Sequence, residues 1–167
     1  MDHQELITYF AYGSNMNPAR MHARGVTFLQ RQRGTLQNYC LRFNKISRLY
    51  PGTGVGNVVQ ETGSMVEGIL YTLPISELLK LDHHEGYPDH YLREKAEIQI
   101  APADQINQVE LNSAWIYRAP PEKVNEELAP CQSYLDHLLA ACEDLSPSYF
   151  ERLSQTECDP NDYKDKN

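Results

Sequence analysis

The feature that most constrains this fold is a β-rich run that ends in a glycine and leads straight into a helix start. Residues 6–12 have the composition of a buried strand, and Gly13 follows them at once. Shortly after the glycine, Asn17 can cap a helix and Pro18 suits the first helical position. The predicted order of elements is therefore a strand, a tight polar loop and a helix N-terminus.

The loop in residues 10–16, FAYGSNM, has the composition of a cradle for an anion or a carbonyl oxygen. Gly13 lets the backbone fold sharply, so that successive N–H groups can converge on one point. The helix that follows adds the positive partial charge of its N-terminus, and Ser14 and Asn15 add side-chain donors. A capped turn that binds nothing is the alternative, because strand-turn-helix junctions are common.

A carboxylate at the end of a second predicted helix is the other candidate for chemistry. Ser76 is a suitable cap for a helix over residues 77–84, which Glu85 and Gly86 would end. The helix dipole disfavours a negative charge at that end, and partial burial would move such a carboxylate towards the range of a general base. An exposed carboxylate at a helix end is the alternative.

The rest of the chain predicts one α+β domain over residues 1–154, with helices outside a sheet, and a polar tail over residues 155–167. Residues 57–73 have the pattern of a hairpin that turns at residues 62–64, and the glycine-rich residues 51–56 predict a loop that could cover a pocket. The other predicted elements are strands at residues 34–46, 91–100 and 109–117, and helices at residues 134–142 and 146–153.

Charge and cysteine usage restrict the partners that the chain can have. The net charge of -8 would repel a nucleic-acid backbone, and no stretch approaches the roughly 18 apolar residues of a membrane span. The N-terminus lacks the basic and apolar regions of a secretory signal, so a cytoplasmic location is expected. Scattered cysteines without a Cys-x-x-Cys pair argue against a zinc cage and fit a reducing compartment; they are Cys40, Cys131, Cys142 and Cys158.

Spacing disfavours two other kinds of site. His83 and His84 lie beside Glu85, but adjacent residues point to different faces of a helix, and the spacing differs from His-Glu-x-x-His. Ser14 stands in the sequence Tyr-Gly-Ser-Asn-Met, which differs from the Gly-x-Ser-x-Gly of a nucleophilic serine. We therefore expect neither a metal centre nor a serine nucleophile.

Two separate segments carry a resemblance to a known family. Residues 9–15, YFAYGSN, are similar to the N-terminal signature of the γ-glutamylcyclotransferases, and residues 81–86, LDHHEG, are similar to their catalytic-glutamate segment. Tyr91 follows the glutamate much as a tyrosine does in that family, and residues 129–134 and 145–163 resemble its C-terminal part. The resemblance covers most of the chain in matching order.

The resemblance implies a single-domain, mixed β-barrel-like sheet with flanking helices, and no metal or organic cofactor. The implied reaction releases 5-oxoproline from small γ-glutamyl amino acids or amines. Glu85 would be the general base that takes a proton from the α-ammonium group, and the freed amine would attack the γ-carbonyl carbon of the same molecule. The resemblance implies that the γ-glutamyl head is bound by backbone donors of the loop residues Tyr9, Phe10, Ala11, Tyr12, Gly13 and Ser14, with Tyr134 near the substrate. Asn15 joins these predicted substrate-binding residues through its side-chain donors.

Several alternatives stay open at the level of the sequence. Tyr91 and Tyr117 can line a pocket with their hydroxyl groups or pack in the core, and Tyr134 can do either. The leaving group can be an amino acid or an amine, including the amine of a dedicated pathway, and a homodimer is compatible with the sequence. A non-catalytic binding or regulatory protein on the same fold is the alternative to an enzyme. The carboxylate of Glu85 favours the enzyme, because a degenerate member would usually lose it.

Overall fold

The computed structural model describes residues 4–101, 108–161 and 163. In this part of the chain, five strands and four α-helices form. Their bounds are β1 Leu6–Ala11, α1 Pro18–Ala23, β2 Gln30–Ile46, β3 Gly54–Pro74, α2 Leu78–Glu85, β4 Leu92–Ile100, β5 Glu110–Arg118, α3 Gln132–Leu139 and α4 Pro147–Ser154. None of the helices within these described ranges is long and apolar enough to cross a bilayer.

The five described strands close into one barrel in the order β1-β3-β2-β4-β5. Strand β1 runs antiparallel to β3 and parallel to β5, where Tyr9 pairs with Trp115, so the sheet is mixed. The other neighbouring strands pair in antiparallel fashion. The predicted α+β fold, with a mixed barrel-like sheet and flanking helices, is therefore confirmed.

The predicted hairpin within residues 57–73 is wrong, because these residues belong to one long strand. Strand β3 pairs with β2 along both of its halves, and residues 61–64 between the halves form a bulge. In this bulge Gly63 has a φ of 86° and donates its N–H to Oδ1 of Asn38 at 3.1 Å. A glycine between two β runs predicts a turn from the local pattern alone, and pairing with the partner strand decides against it.

A hairpin connection joins β2 to β3 through residues 47–53. The predicted loop at residues 51–56 is therefore wrong in its second half, because β3 begins at Gly54. Ser47 donates its N–H to the carbonyl oxygen of Thr53 at 3.0 Å and closes the connection. We call residues 45–56 the β2–β3 hairpin, since they include the strand ends that flank the connection.

Capping residues set the ends of the first two helices. The side chain of Asn17 accepts a hydrogen bond from the first turn of α1 at 3.0 Å, as predicted. Gly86, with a φ of 69°, ends α2, so that Glu85 is the last residue of this helix. Ser76 does not cap α2, because a 3-10 turn over Ile75–Glu77 continues directly into the helix.

Helix α3 packs the C-terminal third of the chain against the loop that follows β1. Its buried residues are Tyr134, Leu135 and Leu138, and it contacts the 3-10 turn over Ser14–Met16. The predicted helix extends to Cys142, but α3 ends three residues earlier and Cys142 is exposed. The contact between α3 and the turn places the side chain of Tyr134 beside the polar loop.

After α4, the described residues stay against the body of the domain. Asp159 donates its N–H to the carbonyl oxygen of Pro130 at 2.7 Å, and the hydroxyl of Tyr163 donates to the carbonyl oxygen of Pro51 at 2.6 Å. Residue 162 and residues 164–167 lie outside the described residues. The division into a domain and a tail at residue 154 stays a prediction.

Gly54→Ala is expected to lower the free energy of unfolding by about 3 kcal/mol. An added Cβ would overlap the carbonyl oxygen of Phe43 and lie 2.8 Å from its carbonyl carbon, so the backbone would have to move. Gly34→Ala is the comparison variant, because its nearest contact, at 2.6 Å, is a methyl group on the buried side chain of Ile98 and not the backbone, so we expect a smaller loss than for Gly54→Ala. Urea unfolding curves of the parent and both variants measure the difference, and equal midpoints for the two variants would contradict this account.

Candidate active site

A cleft of about 690 Å³, including its mouth open to solvent, lies at the end of β1. Its walls come from the loop after β1, the end of α2, the β2–β3 hairpin and α3. The predicted site residues that line it are Tyr9, Tyr12, Gly13, Ser14, Asn15, Glu85, Tyr91, Tyr117 and Tyr134. The fold thus brings to one cavity residues that are scattered between positions 9 and 134.

Two of the predicted substrate residues, Phe10 and Ala11, lie outside the lining of the cleft. The side chain of Phe10 is fully buried in a cluster that includes Leu70 and Ile116. Ala11 is 2% exposed and packs in the other core cluster. Successive side chains of a strand point to opposite faces, so Phe10 and Tyr9 cannot both face the cleft.

The carboxylate of Glu85 is held at one side of the cleft. Its Oε1 accepts a hydrogen bond from Nδ2 of Asn15 at 3.0 Å and lies 3.6 Å from Nη1 of Arg24. The same Arg24 atom donates to Oδ1 of Asn15 at 2.9 Å, which fixes the orientation of the amide. Among the described residues, none donates a hydrogen bond to Oε2 of Glu85. One carboxylate oxygen is thus anchored, and the other is available to a ligand.

Tyr9 supports the same arrangement from the floor of the cleft. Its hydroxyl oxygen accepts a second hydrogen bond from Nδ2 of Asn15 at 3.1 Å. Burial, together with the negative charge of Glu85, raises the pKa of Tyr9 well above its ordinary value. The phenol therefore stays protonated across the physiological pH range and can donate its proton in a hydrogen bond without carrying charge.

The loop after β1 lines the cleft and contains backbone N–H groups without an acceptor among the described residues. In the described part of the chain, no acceptor pairs with the backbone N–H groups of Gly13, Ser14 and Asn15. Ser14 and Asn15 are nevertheless 8% and 3% exposed, so these N–H groups are largely withdrawn from bulk water. Three consecutive free donors at a cleft wall can bind a carboxylate or the oxygen of a polarised carbonyl group.

Gly56 is a site residue that the sequence analysis missed. Its N–H donates to the hydroxyl oxygen of Tyr134 at 2.9 Å, and its carbonyl oxygen accepts from the hydroxyl of Tyr91 at 2.6 Å. A Cβ on Gly56 would lie 3.0 Å from the hydroxyl oxygen of Tyr134, and a Cβ on Gly13 would lie 2.8 Å from it. The signal in the sequence was a glycine inside a β run, which marks a close approach to the backbone.

Tyr117 and Asp82 form a polar contact behind the cleft. The hydroxyl of Tyr117 donates to Oδ1 of Asp82 at 2.7 Å, while Oδ2 of Asp82 forms an ion pair with Arg93. Burial and the hydrogen bond to Asp82 raise the pKa of Tyr117. Tyr117 therefore lines the cleft with its ring, and its hydroxyl group connects β5 to α2.

The histidines near Glu85 contact other groups. Nε2 of His84 lies 3.0 Å from the carbonyl oxygen of Arg24, and Nδ1 of His90 lies 3.4 Å from Nζ of Lys45. Within the described ranges, no three His, Cys, Asp or Glu side chains are grouped so that they could hold a metal ion.

The charge of the cleft is a second feature that the sequence analysis missed. Glu85 is the only carboxylate among the described lining residues, whereas the cationic lining residues are Arg20, Arg24, Lys45 and Arg48. The net charge of -8 describes the whole chain, so it does not reveal that the side chains around one cleft are mostly cationic. The cleft is therefore suited to an anionic ligand with one group that needs a carboxylate beside it.

A small closed barrel with a polar loop after its first strand and one carboxylate facing that loop defines the class of protein. The family described as "Gamma-glutamyl cyclotransferase, AIG2-like" matches residues 9–136. This chain belongs to that family. The matched residues include the loop, Glu85, Gly56 and Tyr134.

Individual relatives agree with the family over nearly the whole chain. A protein of Bos taurus named "Gamma-glutamylcyclotransferase" is 26% identical over 168 residues, which span 97% of this chain and 84% of the relative. The protein of Mus musculus with the same name is 26% identical over 167 residues, with the same coverage. A solved structure named "Gamma-glutamyl cyclotransferase" has a TM-score of 0.79 and 26% identity, and covers 97% of this chain and 93% of its own.

Proposed function

We propose that this chain is an enzyme that converts small γ-glutamyl compounds into 5-oxoproline and a free amino acid or amine. The observation that carries the proposal is the position of Glu85, which lines the cleft and is anchored by Asn15 through Oε1 alone. Membership of the family and the names of the relatives support the same class of reaction. No cofactor takes part in the proposed steps.

The γ-glutamyl head binds between the loop and Glu85. The free N–H groups of residues 13–15 hold its α-carboxylate or its γ-carbonyl oxygen, and the carboxylate of Glu85 receives its α-ammonium group. Asn15 and Arg24 fix the position of Oε1, so the ammonium group meets Oε2. A bent head brings the α-nitrogen to the γ-carbonyl carbon of the same molecule, and the tethered nucleophile needs no second substrate.

Glu85 then acts as the general base. It takes a proton from the α-ammonium group, and the neutral amine forms a C–N bond to the γ-carbonyl carbon. Backbone N–H groups of the loop stabilise the oxyanion that develops. When the original amide C–N bond breaks, the leaving nitrogen has received the two protons that the α-nitrogen gives up, so no water is consumed. The products are a five-membered lactam and an ammonium compound.

The experiment that tests the proposal is a product assay on a panel of substrates. Purified protein is incubated with a γ-glutamyl dipeptide, glutathione and a γ-glutamyl amine in the presence of a chelator, and 5-oxoproline is followed by mass spectrometry. Formation of 5-oxoproline in an amount equal to the released amine supports the proposal. No 5-oxoproline from any compound, with measurable binding of the same compounds, would contradict it and favour a binding protein.

Asn15→Asp is expected to lower kcat/KM about tenfold to a hundredfold at neutral pH, because a second carboxylate would face Oε1 of Glu85. The two like charges would share a proton, so the acid limb of the pH–rate profile should move to higher pH and the loss should shrink as the pH rises. Steady-state rates across the pH range measure this. An unchanged acid limb would show that Asn15 does not contact the base.

A further inference from the structure

The β2–β3 hairpin contributes two cationic side chains, Lys45 and Arg48, to the wall of the cleft. Lys45 is 2% exposed, although it carries an ammonium group. Its Nζ donates to the carbonyl oxygen of Ile46 at 2.7 Å, lies 3.4 Å from Nδ1 of His90 and lies 4.9 Å from the ring centroid of Tyr91. All of these neighbours are uncharged acceptors or a π face. We call Lys45 and Arg48 the hairpin cations.

Within the part of the chain that the structure describes, no anionic group contacts the ammonium group of Lys45. Among the described residues, no carboxylate oxygen lies within 4.0 Å of its Nζ, so a desolvated ammonium group meets only neutral dipoles. Burial, reinforced by the positive charges of Arg48 and Lys123, lowers the pKa of Lys45 to about 8, and the more distant Glu85 opposes this shift. A buried cation that faces a cleft without a partner is stabilised when an anionic ligand enters.

The guanidinium group of Arg48 is anchored by one hydrogen bond and keeps further N–H donors available. Its Nη2 donates to the carbonyl oxygen of His84 at 2.8 Å, which anchors the guanidinium group to the end of α2. A Cβ on Gly86 would lie 2.8 Å from Nη1 of Arg48, so the guanidinium group packs against the residue that follows Glu85. Arginine carries five N–H donors, and one contact with a carbonyl oxygen leaves the charge of Arg48 unpaired among the described residues.

Lys45 is separated from the loop donors by other side chains, whereas Arg48 packs at the end of α2 that carries Glu85. A row of contacts leads across the cleft from Gly13 to Tyr134, from Tyr134 to Gly56, and from Gly56 to Tyr91, whose ring faces Lys45. Two tyrosines and a glycine thus separate the loop donors from Lys45. A substrate whose head contacts the loop and Glu85 would extend its leaving group towards the hairpin.

We propose that Lys45 and Arg48 form an anion subsite for the carboxylate of the leaving amino acid, so that this chain prefers γ-glutamyl amino acids and peptides to γ-glutamyl amines. The inference rests on the proposed function, because the leaving group exists only in that reaction. A carboxylate bound there supplies the counter-charge that Lys45 lacks and accepts hydrogen bonds from both cations. When the leaving group is an amine without a carboxylate, the buried ammonium group of Lys45 stays without a counter-charge.

The test compares two substrates that differ only in the charge of the leaving group. These are γ-glutamylalanine and its C-terminal carboxamide, and the readout is the ratio of their kcat/KM values. We expect the parent to favour the free carboxylate about tenfold to a hundredfold. Arg48→Gln and Lys45→Met should each reduce this ratio severalfold or more. Arg48 is exposed, so its variant tests the proposal even where a change at buried Lys45 affects folding.

Arg42→Gln is the matched control, because it removes the same charge from an exposed side chain of β2 that pairs with Glu61 outside the cleft. Its ratio should equal that of the parent. Equal turnover of both substrates by the parent, or an unchanged ratio in both hairpin variants, would overturn the proposed anion subsite. Either result would leave the proposed release of 5-oxoproline unaffected. No turnover of either substrate, with no 5-oxoproline from the wider panel, would instead overturn the proposed function.

Discussion

Glu85→Gln is expected to lower kcat for 5-oxoproline release by about a hundredfold to ten-thousandfold. Glutamine keeps the shape of the side chain, and its carbonyl oxygen can still accept the hydrogen bond from Asn15. The amide cannot take a proton from the α-ammonium group, so the nucleophile is not released. Single-turnover and steady-state rates with a γ-glutamyl dipeptide measure the loss.

Folding and charge are controlled separately in this experiment. The thermal midpoint of Glu85→Gln should stay close to that of the parent, because the side chain is anchored by few contacts. Glu94→Gln is the matched control, since it removes a carboxylate from β4 that pairs with Arg118 away from the cleft, and its kcat should equal that of the parent. If Glu85→Gln retained more than about a tenth of the parent kcat, Glu85 would not be the base.

Gly13→Ala is expected to reduce kcat/KM at least about a hundredfold, because a shift of the loop misplaces the oxyanion donors. The added Cβ would lie 2.8 Å from the hydroxyl oxygen of Tyr134, which is closer than a methyl group can approach. Tyr134 is 6% exposed and bound to the backbone of Gly56, so it cannot simply swing away. The loop would therefore move and carry its N–H groups with it.

A second substitution tests this cause. Tyr134→Phe removes the hydroxyl group that the new methyl group meets, so Gly13→Ala should cost much less activity in the Tyr134→Phe background than in the parent. Steady-state kinetics of the parent, both single variants and the double variant give the coupling between the two positions. If the fold-loss in kcat/KM of the double variant equals the product of the fold-losses of the two single variants, the loss does not arise from a clash between Gly13 and Tyr134.

Local signals predicted the two segments that supply the centre of the site. A glycine directly after a strand, with Asn17 and Pro18 behind it, is enough to predict the loop, because capping and turn chemistry depend on neighbouring residues. Gly86 likewise predicts the end of α2 and so the position of Glu85. The resemblance to the family connected these two segments, which lie on separate elements.

Long-range pairing explains what the sequence could not predict. The continuity of β3 through Gly63 depends on its partner β2, and a local pattern with a glycine looks the same in a hairpin and in a bulge. The roles of Gly56 and Lys45 depend on tyrosines from distant parts of the chain, namely Tyr91 and Tyr134. Contacts of this kind arise only when the barrel closes, so no spacing rule along the chain reveals them.

In the proposed reaction, the α-amine of the substrate attacks its own γ-carbonyl group. The most direct measurement is turnover of γ-glutamylalanine in water enriched in ¹⁸O, with mass analysis of every product, beside glutaryl-alanine, which lacks the amine. We expect equal amounts of alanine and 5-oxoproline without ¹⁸O, and no reaction of glutaryl-alanine. Glutamate that carries ¹⁸O, or cleavage of glutaryl-alanine, would show that water is the nucleophile and would contradict the account.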